Sequence, residues 1–155
     1  MNLRSYLFLG YLAGFGYLTT FVSCQNHSHQ NGQATEVESE QKYCFLRTEG
    51  AQHSDSSYVQ LTFQKETVSG IYNVIPAEKD ARRGTVLGKL RDDVLDLVWT
   101  FTQEGMQDTM RVVFALRDGK LLQKPLSVDT ATGRQVTRDT SSFSSVYEPV
   151  ACTPN

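Results

Sequence analysis

Val94-Leu95-Asp96-Leu97-Val98-Trp99-Thr100-Phe101-Thr102-Gln103 decides the fold class of this chain. Leu95, Leu97, Trp99 and Phe101 fall on one side of a two-residue period, and Asp96, Val98, Thr100 and Thr102 fall on the other. That alternation belongs to a strand with one face on a core and the other toward water. Working outward, Val59, Leu61 and Phe63 alternate with Tyr58, Gln60 and Thr62, and Val112, Phe114 and Leu116 alternate with Arg111, Val113 and Arg117. No long helical periodicity occurs from residue 43 onward, so the domain reads as all-β.

Turn signals divide the runs. Gln64-Lys65-Glu66, Arg91-Asp92-Asp93 and Arg117-Asp118-Gly119-Lys120 each separate two apolar-patterned segments. Asp118-Gly119 is the strongest, because Asp-Gly suits the positive φ angles of a type I′ hairpin. The pattern predicts about eight strands, near 43–48, 57–64, 67–75, 84–90, 94–103, 108–117, 120–127 and 142–151. In a simple antiparallel meander the short turns at 65–66, 91–93 and 118–119 share one end. The connections at 49–56, 76–83, 104–107 and 128–141 share the other, and three of those are long. Cys44 in the first strand and Cys152 after the last then fall at the same end. A barrel closed between first and last strands brings them within disulfide reach. The expectation is a lipocalin-like closed barrel of about eight antiparallel strands. A two-sheet β-sandwich with Greek-key crossings is the alternative.

The N-terminus addresses location. Arg4 is the only charged residue among the first 23, Tyr6 to Ser23 is mostly apolar, and the stretch closes on Phe21-Val22-Ser23-Cys24. A basic start, an apolar centre and small residues at the end describe a secretory signal. Phe21-Val22-Ser23-Cys24 resembles the lipobox of a bacterial lipoprotein, with Phe21 where that pattern prefers Leu. The resemblance implies cleavage before Cys24 and its diacylation, which suffices for stable membrane anchoring. An uncleaved transmembrane anchor and a plain secreted protein are the competing readings. Gln25 follows the Cys in place of the Asp that retains lipoproteins in the inner membrane of well-studied Gram-negative bacteria, which favours the outer membrane. The expected organisation is a signal peptide over 1–23, a lipidated flexible linker over 24–42 and one β-domain over 43–155. The linker carries only Ala34 and Val37 as apolar residues between 25 and 41, too little to offset its ordering entropy. His27 and His29 within it read as solvated side chains rather than metal ligands.

Beyond residue 23 there are 14 basic and 17 acidic side chains, a net of −3. That balance gives no electrostatic case for nucleic acid as a partner. With Cys24 assigned to the lipid, Cys44 and Cys152 remain as a pair in an oxidising compartment, where a disulfide is expected. Free thiols or metal ligands are the alternatives; no CxxC occurs, and no His lies near either Cys in sequence.

Val68-Ser69-Gly70-Ile71-Tyr72, Glu78-Lys79-Asp80-Ala81-Arg82-Arg83-Gly84-Thr85, Val98-Trp99-Thr100-Phe101 and Gln103-Glu104-Gly105-Met106 resemble an uncharacterised family of small secreted proteins and lipoproteins common in Bacteroidetes. The similarity continues more weakly through Gln123-Lys124-Pro125-Leu126 and Thr132-Gly133-Arg134-Gln135. Cys44 and Cys152 sit where such proteins open and close the domain. The resemblance implies a bacterial envelope setting and carries no activity with it.

No motif for a reaction or a cofactor stands out. The candidate site is the polar cluster at the long-loop mouth: Glu78, Lys79, Asp80, Arg82 and Arg83 in one connection and Glu104 in the facing one. Paired carboxylates there would serve acid–base chemistry if burial separated their pKa values, or would hold a cation through oxygen ligands. No nucleophile–base pair or metal-ligand spacing accompanies them, so a solvated loop of mutually paired charges is the reading preferred for catalysis. His53 lies in a Ser-rich loop and reads as solvated. Trp99 reads as core, with a ligand-cavity wall as the alternative. The leading functional expectation is a non-catalytic binding module taking a small apolar or amphipathic ligand at the mouth. An envelope interaction or inhibitor domain comes second, and a hydrolase using Glu78, Asp80 or Glu104 third.

Overall fold

The computed structural model describes residues 40–152. Cys24, the signal segment and nearly all of the expected linker lie outside the described residues. Ten strands follow one another: β1 (Gln41–Glu49), β2 (Asp55–Gln64), β3 (Thr67–Ile75), β4 (Arg82–Arg91), β5 (Val94–Gln103), β6 (Met106–Arg117), β7 (Lys120–Gln123), β8 (Leu126–Val128), β9 (Gln135–Thr137) and β10 (Ser145–Val150). Eight of them close a barrel in the order β1-β10-β7-β6-β5-β4-β3-β2, every pairing antiparallel. β8 and β9 form a separate two-stranded sheet inside the connection from β7 to β10. The meander and its closure between first and last strands are as the sequence predicts, and the sandwich alternative is excluded.

Two differences from the expected strands have local causes. The segment predicted as one strand over 120–127 breaks after Gln123. Pro125 has no N–H for the ladder and pushes Lys124 toward extended or turn geometry, and Lys124 N donates to Val113 O at 3.0 Å on the wall of β6. The chain from Lys124 onward therefore crosses outside the barrel. Val113, expected on the water face, is 2% exposed for this reason. β1 begins at Gln41, two residues before the expected boundary, because Gln41 and Lys42 pair with Phe63 and Thr62.

The three short turns share one end. Asp118 and Gly119 both have positive φ, 50° and 73°, as a type I′ hairpin demands. The alternation of β5 is obeyed: Leu95, Leu97, Trp99 and Phe101 point inward and are buried, while Val98 is 53% exposed. Trp99, Tyr147, Phe114, Leu61, Leu95, Leu97 and Leu121 are fully buried and fill the middle of the barrel. Trp99 Nε1 donates to Tyr72 O at 2.9 Å, which satisfies its polar atom within the core. The tight packing needs Gly84, where a Cβ would stand 2.0 Å from Thr100 O and 2.6 Å from Phe101 Cα on the adjacent strand.

β10 is the thinnest part of the wall. It shares three register pairs with β1 and three with β7, against ten between β5 and β6. Pro149 lies within it and removes one donor. The expected disulfide is present beside this seam: Cys44 and Cys152 are bonded, with Cα atoms 5.2 Å apart. The Tyr58 hydroxyl donates to Cys44 Sγ at 3.1 Å.

Candidate functional site

The filled middle separates the barrel into two ends, each with a cleft. At the long-loop end, inward positions of β4, β5 and β6 place Arg82, Phe101, Gln103, Asp108 and Met110 around a cleft of about 580 Å³, with Arg134 and Gln135 of the β8–β9 hairpin on its rim. Asp129 builds that hairpin's connection: its Oδ1 accepts from Ala131 N, Thr132 N and Thr132 Oγ1 at 2.9–3.1 Å. The hairpin is tied down by Arg134 Nη2, which donates to both Asp108 carboxylate oxygens at 2.7 and 2.8 Å. This pairing, with the Thr109 amide, holds the Asp108 carboxyl below its usual range.

The predicted mouth residues divide. Glu78, Lys79 and Asp80 lie exposed in the β3–β4 connection. Arg82 points into the cleft and Arg83, the next residue along β4, points out to solvent. Asp80 and Glu104 do meet across facing connections. The Asp80 carboxyl beside it, through a shared hydrogen bond and like charge, raises the Glu104 pKa above the ordinary range. Both carboxyls are solvent-exposed, and among the described residues no three His, Cys, Asp or Glu side chains converge as a metal site would require. Trp99 lines neither cleft and is core. His53 bonds Thr48 Oγ1 through Nδ1 at 3.1 Å on the surface.

The cleft at the short-turn end has the opposite character. Tyr43, Phe45, Leu116, Pro149 and Val150 line about 530 Å³ together with Cys44, Cys152 and Gly119, and Lys42 is its one charged lining residue. Tyr43 is held edge-on to Phe63, ring centres 5.5 Å apart. Sequence reasoning missed this cleft although each component was readable: Tyr43 and Phe45 alternate along β1, and both Cys were placed at this end. The missing signal was the shortness of β10, which leaves the wall between β1 and β6 incompletely covered.

Between the clefts lies a buried polar cluster. The Tyr147 hydroxyl donates to Gln123 Oε1 at 2.7 Å, and the Tyr72 and Tyr147 hydroxyl oxygens are 3.1 Å apart. Gln123 Nε2 has no partner among the described residues. Burial pushes both tyrosine hydroxyls up from their ordinary pKa.

Comparison with models of known protein families, with curated proteins and with solved structures finds no match.

Proposed function

We propose that this chain is a non-catalytic binding module of the bacterial envelope, lipid-anchored at Cys24, that holds a small apolar or amphipathic ligand. The observation that carries the ligand reading is the apolar cleft walled by Tyr43, Phe45, Leu116, Pro149 and the disulfide. Its volume, about 530 Å³, falls within the span of small-ligand sites, which combine apolar walls with a few polar groups. The ligand is therefore assigned to the short-turn end, whereas loop asymmetry alone favoured the long-loop mouth. That mouth is lined chiefly by charged and amide side chains. The chain enters the barrel beside the apolar cleft, at Gln41. The envelope reading rests on Phe21-Val22-Ser23-Cys24 and on an oxidised Cys pair.

The test is titration of the full chain with the apolar fluorophore N-phenyl-1-naphthylamine. Saturable enhancement is expected, reduced at least tenfold in affinity by Val150→Glu, which puts a charge on the cleft wall at a position 38% exposed and therefore spares the core. Equal binding by parent and variant would remove the ligand from this cleft.

A protein-partner reading is favoured by one observation. Leu87 and Val98 pair across β4 and β5 on the outer wall and are 61% and 53% exposed. Crosslinking in the intact envelope through a photoreactive residue at Leu87 tests it: a discrete adduct supports a docked partner, and clean recovery of the monomer argues against one.

A further inference from the structure

We propose that the long-loop cleft is a second binding site, selective for a small oxyanion on an apolar body, with Arg82 as its anchoring cation. Arg82 is held by an aromatic ring and two side-chain amides. Its guanidinium lies over the Phe101 ring, 5.3 Å from the centroid. Nε donates to Gln103 Oε1 at 2.6 Å and Nη1 donates to Gln135 Oε1. Both partners are neutral amides, Arg82 forms no ion pair among the described residues, and Nη2 has no hydrogen-bond partner there.

A half-buried guanidinium pinned in one orientation by uncharged groups is unusual in this molecule. Of the other described arginines, Arg47, Arg111, Arg117 and Arg134 each contact a carboxylate, and Arg83, Arg91 and Arg138, which form no ion pair, are exposed. Carboxylates do stand near Arg82, but each is engaged elsewhere. Asp108 is held by Arg134, and Glu104 sits against Asp80 on the exposed rim. What remains is Nη2, whose N–H groups have no partner among the described residues, beside the second hydrogen of Nη1; guanidinium donors of this kind receive a carboxylate or phosphate. Phe101 and Met110 below it, and Met106 at the rim, supply an apolar floor of a size for an aryl or short alkyl substituent. The core from Trp99 to Tyr147 closes this cleft from the apolar one at the other end, so the two sites are independent.

Benzoate and inorganic phosphate separate the two halves of the claim. Each is titrated into the full chain at low ionic strength, followed by the side-chain Nε–Hε resonance of Arg82. Saturable shifts with benzoate are expected, with weaker binding of phosphate, which lacks the apolar body. Arg82→Gln should weaken benzoate at least tenfold, and Arg82→Lys, which keeps the charge without the fork, should fall between the two. Met106→Glu adds repulsion at a position 75% exposed and should weaken benzoate severalfold without touching the packing, which keeps the test decisive if Arg82 variants fold poorly. Absence of saturable benzoate binding, or equal binding by Met106→Glu and the parent, would overturn the site. Phosphate binding as tight as benzoate would overturn the apolar floor.

Discussion

Replacing Cys44 and Cys152 together by Ser tests how the barrel is kept closed. The bridge spans a sequence separation of 108. Chain entropy for a loop of that length gives an upper value of about 4.8 kcal/mol at 25 °C, and removal of native disulfides costs about 2–5 kcal/mol. The structure argues for the middle of that range or above. β10 is held by three register pairs on each side, one member being Pro149, so little else resists its departure. The hydroxyl introduced at position 44 would find the Tyr58 hydroxyl nearby, so burial of a new polar group adds little to the loss. Trp99 is the only Trp in the chain and is fully buried, so its fluorescence reports the core directly. At a urea slope of about 1–3 kcal/mol/M, a loss of about 3 kcal/mol lowers the midpoint by roughly 1–3 M. Hydrogen exchange in the variant should show β10 and the adjoining edge of β1 opening before β3–β6. A midpoint lowered by less than about 0.3 M, or protection lost evenly around the barrel, would refute the argument that the bridge holds the seam.

Gly84→Ala should destabilise by about 1–3 kcal/mol, because the added methyl meets backbone atoms of β5 that cannot yield without breaking the ladder; a urea midpoint equal to that of the parent would contradict the packing described. Gln123→Leu alone should cost about 1–3 kcal/mol by leaving one of the two buried tyrosine hydroxyls without an acceptor, whereas adding Tyr72→Phe and Tyr147→Phe should recover much of the loss; thermal unfolding of the single and triple variants decides it. Because burial raises the pKa of Tyr72 and Tyr147, their neutral forms are the ones the fold favours. Their stabilising contribution is complete below the ordinary tyrosine value of about 10 and is lost as pH climbs above it. Absorbance titration should therefore show these two phenols ionising only as the barrel unfolds, and their ionisation in the folded protein together with Tyr43 and Tyr58 would contradict their burial. Asp96 has the reverse sign: Arg111 lowers its pKa, so its contribution is present above about 4 and fades as pH falls through the folded value; Asp96→Asn should flatten the acid limb of the stability curve.

The barrel was legible because its information is local and periodic. Leu95 to Phe101 alternate over a full strand, Asp118-Gly119 specifies its turn, and the two Cys give an independent constraint on which strands close. The β8–β9 hairpin was not legible. Leu126–Val128 and Gln135–Thr137 are too short for alternation to register, and their pairing depends on Pro125 turning the chain out of the barrel. Burial of Val113 follows from that crossing and from nothing in β6 itself. The mouth cluster was legible in composition and partly in geometry: Asp80 meets Glu104, but only Arg82 of the charged run 78–83 turns inward, since neighbouring strand residues face opposite ways. Gln103, Asp108, Arg134 and Gln135 were missed because a Gln or an Arg–Asp pair carries no signal until the hairpin brings it over the mouth. The apolar cleft was hidden for a different reason: it arises where a short β10 fails to cover its neighbours, a property of lengths rather than of residue types.

Native mass spectrometry of the full chain recovered from its native source decides whether the cleft beside the disulfide holds a small apolar or amphipathic ligand. A discrete extra mass on the folded protein is expected, lost on denaturation and absent from Val150→Glu. A bare mass for the parent, or the same extra mass on parent and variant, would contradict it.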